Sequence, residues 1–126
     1  MALWPARPLK VTDIVTTAAL ASGTANAVKQ MEISGVAFTY PVGFYGLLIK
    51  LSTAGGTVIV RAWNDASRTQ LLGTATIDFT GITDTPVEFW SMGIEAPVGV
   101  WVDAIGDATS ATKTLNVSAA VLEIGT

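Results

Sequence analysis

Cysteine and histidine are both absent from the 126 residues, and charged residues make up only 13% of them. Their absence removes the thiol nucleophile, the disulfide, the imidazole base and the zinc-type ligand set, and with them most familiar catalytic arrangements. An enzyme is therefore not expected, nor a cofactor or a bound metal, and the missing cysteines lean towards a reducing compartment. Long apolar runs are absent too. The longest, Pro41 to Ile49, is ended by Lys50, whereas a membrane-spanning helix needs about 20 such residues. No cleavable leader is expected, because Ile14 to Ala21 follows Asp13 and is interrupted by Thr16 and Thr17. Basic residues are few and scattered, which is not a nucleic-acid footprint.

What is present is apolar: half of the residues are hydrophobic and the net charge is -3. A chain of 13.1 kDa is one domain in size and can bury about two-thirds of its extended surface. An ordinary soluble domain carries about 25% charged residues. A chain so poor in charge, with no membrane span, is best explained by surface that stays covered in an assembly, and a homotrimer is expected. The charge is also unevenly placed. Arg7, Lys10 and Lys29 against Asp13 leave residues 1–31 basic, while Asp78, Asp84, Glu88, Glu95, Asp103, Asp107 and Glu123 against Lys113 leave residues 78–126 acidic.

From Tyr45 onward the pattern has period two, punctuated by Gly, Pro, Asn and Asp, which marks an all-β sandwich or barrel. Tyr45, Leu47, Ile49 and Leu51 are placed on one face, and Thr53-Ala54-Gly55-Gly56 reads as a hairpin turn into a strand from Thr57 to Trp63. Ala75, Ile77 and Phe79 alternate with Thr74, Thr76 and Asp78. Further strands are expected over Val87 to Met92, Val98 to Ala104 and Leu115 to Ile124, with short ones over Val11 to Val15 and Lys29 to Ile33. One turn of helix is allowed within the Ala-rich segment Thr17 to Val28. The expectation is an antiparallel, jelly-roll-like β-sandwich over residues 17–126, preceded by an extended N-terminal arm over residues 1–16.

Three tryptophans share parity with charged residues. Arg61, Trp63 and Asp65 oppose Val58, Val60 and Ala62; Glu88 and Trp90 oppose Val87 and Phe89; Trp101 and Asp103 oppose Val98, Val100 and Val102. If the aliphatic faces form the core, Trp63, Trp90 and Trp101 form contact surface, or are covered by loops. Rings beside Arg61, Glu88 and Asp103 could instead stack on a glycan. Asp103 and Asp107, four apart at a strand end, are candidates for an acid–base pair or a Ca²⁺ site, but loop carboxylates bonding local backbone amides are favoured, since no D-x-D-x-D-G loop is present. In the arm, Leu3 and Trp4 are apolar anchors, Pro5 and Pro8 favour extension, and Arg7 and Lys10 carry the charge. These residues are expected to dock on another copy or a partner, the alternative being an edge strand on their own sandwich, which the two prolines disfavour.

The order Gly46-Leu47-Leu48-Ile49, Gly55-Gly56-Thr57-Val58-Ile59-Val60, Trp63-Asn64-Asp65, Leu72-Gly73-Thr74 and Gly99-Val100-Trp101-Val102 resembles small virion proteins of tailed bacteriophages, over about residues 43–124. The sequence departs from that pattern at Asn64-Asp65-Ala66, where a Gly commonly follows the Asp. The resemblance implies a capsid decoration or cement protein, commonly trimeric, seated between subunits of the major capsid protein at the virion surface after synthesis in the host cytoplasm. It transfers no catalytic residue. A carbohydrate- or receptor-binding module and a tail or baseplate component are the alternatives.

Overall fold

The computed structural model describes residues 9–17, 19–38, 41–82 and 87–123, and the side chains of all of these except 88–92. Leu3, Trp4 and Arg7 lie outside the described residues. The strands in chain order are β1 (Lys10–Val11), β2 (Val15–Thr17), β3 (Lys29–Gln30), β4 (Glu32–Ile33), β5 (Val36–Ala37), β6 (Val42–Leu51), β7 (Thr57–Trp63), β8 (Leu71–Asp78), β9 (Val87–Ala96), β10 (Trp101–Ile105) and β11 (Leu115–Glu123). One sheet runs β1-β11-β6-β9, with β2 also on β11; the second runs β3-β10-β7-β8; β4 and β5 form a small hairpin. Every strand pairing is antiparallel. The chain is an all-β antiparallel sandwich, and no helix occurs among the described residues. In place of the allowed helical turn, the segment after β2 is irregular and bridges to β10 and its end through Ser22–Gly106 and Ala25–Ile105.

Period-two patterning builds the core directly. In β7, Val58, Val60 and Ala62 are fully buried while Thr57, Ile59, Arg61 and Trp63 are partly exposed. Leu115, Val117, Ala119 and Val121 of β11 meet them from the first sheet, together with Phe44, Leu47, Ile49 and Leu51 of β6. Each such Val, Leu, Ile or Phe side chain contributes about 1.5–3 kcal/mol through burial.

Tyr45 departs from its expected face. Phe44 and Leu47 are both in the core although three positions apart, because the β6–β11 register shifts at Tyr45, Ala120 pairing with Gly46 and Val121 with Phe44. The extra residue turns Tyr45 off the core-facing set. Its ring lies over Gly93, where a Cβ would approach within 2.7 Å.

Two further expectations are corrected. Thr53-Ala54-Gly55-Gly56 closes no hairpin, since β6 and β7 lie in different sheets. Gly55 and Gly56, with φ of 102° and 91°, bend the chain from one layer to the other, and their backbones pair with Phe79 at the end of β8. Lys113 Nζ donates to the carbonyls of Ala54 and Gly55 at 2.6 and 2.9 Å. The expected break between the strands, Gly93 to Pro97, falls inside and after β9, which continues to Ala96 because Phe44, Gly43 and Val42 of β6 pair with Ile94, Glu95 and Ala96 beyond a register shift.

Gly56 tests this crossing. A Cβ there would lie 2.4 Å from the Ser110 backbone nitrogen, whereas one at Gly81, φ 76°, meets nothing within 4 Å. Gly56→Ala is expected to cost about 1–3 kcal/mol through backbone strain alone, with the steric clash in addition. Gly81→Ala carries the strain without the clash, so urea unfolding should rank Gly56→Ala clearly below it.

Candidate assembly surfaces

The outward face of the second sheet is organised around one carboxylate. Asp103 on β10 is opposite Arg61 on β7, and Arg61 donates to it through Nε at 2.9 Å and Nη2 at 2.6 Å. Arg68 closes over the same group, its Nε 3.1 Å from Asp103 Oδ2. That contact is ionic only, since the Arg68 Nε–H has no hydrogen-bond acceptor. The Asp103 side chain is fully buried as a result. Arg68 adopts the left-handed conformation, φ 58°, so this arginine supplies the turn geometry in a loop that lacks a glycine after Asp65. Asp65 holds the loop by accepting from the Thr69 hydroxyl and from the Thr69 and Gln70 amides. These bonds place the Asp65 carboxyl below its usual range, the Thr69 hydroxyl contributing most.

Arg68 Nη2 also donates to the Asn26 carbonyl at 2.6 Å. The Asn26 side chain in turn accepts from the Ala104 amide at 2.6 Å and donates to Thr17 Oγ1 at 3.0 Å. The irregular first third of the chain is thereby tied to β10.

Trp63 and Trp101 stand directly opposite each other on β7 and β10, and Leu71, on β8, is opposite Trp63. The three make one row across the sheet. Both tryptophans are half-buried and Leu71 is 52% exposed. The Arg61 guanidinium sits 5.1 Å from the Trp63 ring centroid, and the Trp63 Nε1–H is buried without a hydrogen-bond partner. Trp90 belongs to the other sheet, its backbone opposite Gly46, so the three tryptophans do not share one platform. A glycan platform using Asp103 is disfavoured, because that carboxylate is inside the fold and already bonded.

Lys10, expected to carry the arm's charge to a partner, instead lies in β1 on its own sheet and pairs with Glu123 at 2.9 Å. Thr12 still pairs with Ala119 of β11 through its amide and its hydroxyl, and beyond it the chain leaves β11, because the Asp13 amide bonds to Glu32 and the Asp13 carboxylate accepts from Ser34 and Gly35 in the β4–β5 turn. Ile14 is left 67% exposed and Val11 57%. With Leu48, Lys50, Asn116 and Ser118 they line a groove of about 350 Å³ on the outward face of the first sheet. The unbroken apolar run Leu47-Leu48-Ile49 was the sequence signal that β6 presents an apolar residue on both faces.

Asp107 is a loop carboxylate, as favoured. Its oxygens accept from the Ser110, Thr57 and Thr109 amides at 2.8–3.0 Å. Those bonds, the Ser110 and Thr57 amides foremost, lower its pKa to about 2. Asp103 and Asp107 are thus committed to different partners, and no group of three or more acidic residues suited to a metal occurs among the described residues.

No family model and no curated protein matches the chain. Among solved structures it is similar in fold to a subunit from Bacillus endospore appendages, described as disulfide-linked pili. The TM-score is 0.50 at 16% identity, over 98% of this chain and 97% of that one.

Two outcomes follow from the ionic geometry. Asp103→Asn leaves Arg61 and Arg68 facing an uncharged group and is expected to cost about 3 kcal/mol, whereas joint replacement of Asp103 and Arg61 by Leu and Met should recover part of that loss, Arg68 remaining without its carboxylate; urea midpoints decide. Asp107 has a folded pKa of about 2, below its ordinary 3.8, so its contribution is full above about pH 4 and is lost as pH falls towards 2. Thermal midpoints taken across that window should fall more steeply for the unsubstituted chain than for Asp107→Ala.

Proposed function

We propose that the chain is a non-enzymatic structural subunit that acts by adhesion, as a capsid decoration protein binding between major capsid subunits of a phage head. The carrying observation is the row Leu71, Trp63 and Trp101: large apolar side chains at the surface, beside ionic groups already satisfied within the chain. Such a face offers area that gains by being covered and few charges that must be stripped of water first. The adjoining carboxylate is already engaged by two arginines, which supports a binding role for the face over acid–base chemistry. Covering the row from outside would hold neighbouring capsid subunits together without a reaction.

A second reading, a subunit of a filament built from copies of itself, is supported by the likeness in fold to a pilus subunit. The disulfide linkage described for that pilus is not open to a chain without cysteine.

The test is co-sedimentation with phage heads stripped of decoration proteins. Leu71→Arg and Trp101→Ala are each expected to weaken particle binding by about 2 kcal/mol or more, roughly 30-fold, while far-UV circular dichroism stays unchanged. Failure of the unsubstituted chain to bind any head, together with Trp101-dependent retention on a glycan array, would replace this reading with a carbohydrate-binding one.

A further inference from the structure

The groove on the first sheet has an occupant specified by the direction of the chain. β1 runs antiparallel to β11, with Lys10 opposite Val121 and Val11 opposite Ala120. The described chain therefore begins, at Leu9, towards the Glu123 end of the sheet, whereas the groove lies the other way, over Asn116 to Ser118. Eight residues reach about 27 Å when extended. To enter the groove of its own domain the segment would have to reverse within a few residues, and Pro5 and Pro8 fix φ near -65° and favour extension.

The chemistry of segment and groove matches. Residues 1–8 contain Leu3 and Trp4 and a single charged side chain, Arg7. The groove has a floor of short side chains, Ser118 and Asn116, between taller apolar walls, Leu48 on one side and Val11 with Ile14 on the other. The apolar walls favour Trp4, the largest apolar side chain of the segment, as the residue that enters.

We propose that residues 1–8 of one copy dock in the groove of a second copy, with Trp4 seated between Leu48 and Ile14. Each copy then donates one arm and receives one, a heterologous contact that closes into a ring or extends as a filament according to the rotation between copies. The inference rests on the reading of the chain as an assembling subunit and names the partner of one of its faces.

Sedimentation velocity of full-length chains at micromolar concentration tests it by complementation. Trp4→Ala removes the donor and keeps the groove; Leu48→Arg removes the groove and keeps the donor. The unsubstituted chain is expected to assemble beyond a dimer, and either variant alone to associate at least about 30-fold more weakly. An equimolar mixture of the two should give a one-to-one dimer and nothing larger, since only one arm–groove contact can form. Ile14→Arg, at a side chain 67% exposed, serves as a second acceptor variant in case Leu48→Arg disturbs the sheet. A mixture that stays monomeric overturns the proposal. So does loss of association in Leu48→Arg but not in Trp4→Ala, which would mean that the groove faces pair with each other. An unsubstituted chain that remains monomeric also overturns it, and if that monomer still sediments with phage heads the decoration reading stands without it.

Discussion

A carboxylate with no exposed surface, on the outward side of a sheet, is the constraint from which most of this structure follows. A carboxylate placed there needs partners, because an isolated buried charge costs several kcal/mol. Arg61 reaches it from the neighbouring strand and Arg68 from the loop beyond that strand, and Arg68 also grips Asn26. One group thereby sets the β7–β10 register, the form of the β7–β8 loop and the path of the chain before β3. By the usual balance of desolvation against attraction this arrangement adds less to net stability than it does to choosing one arrangement over others.

The same economy shapes the two outward faces. On the second sheet the ions are consumed internally, which leaves the tryptophan row as the feature a partner would meet. On the first sheet the cause is backbone hydrogen bonding. Asp13 turns to the β4–β5 hairpin, the edge strand is interrupted between Val11 and Val15, and Ile14 is left standing above the small residues of β11. A sandwich of this size thus carries exposed apolar side chains on the outer side of each sheet, consistent with a chain that is only 13% charged.

Strands with a strict inside–outside alternation were legible in the sequence. β7 was bounded correctly at both ends, and the sandwich class follows from the same period. Where the sequence reading failed, the reason is non-local. Alternation through Tyr45 is interrupted by a bulge in the pairing with β11, and the Gly55-Gly56 pair suits a layer crossing as well as it suits a hairpin, so only the partner of β7 distinguishes them. Arg61 and Asp103 are 42 residues apart, and nothing in their separate strands announces that they meet. Asp103 was therefore read as outward charge. Asp107, whose partners include the amides two and three residues ahead, was read correctly because its role is mostly local.

The central claim is that the outward sheet faces bind by being covered. Hydroxyl-radical footprinting of the free and the particle-bound chain tests it side chain by side chain. The account predicts reduced labelling on binding at Leu71 and Trp101, and at Leu48 and Ile14 where copies also join, with exposed Val36 on the β4–β5 hairpin labelled as before. Unchanged labelling on both faces in bound material, with protection confined to the β4–β5 hairpin, would contradict it.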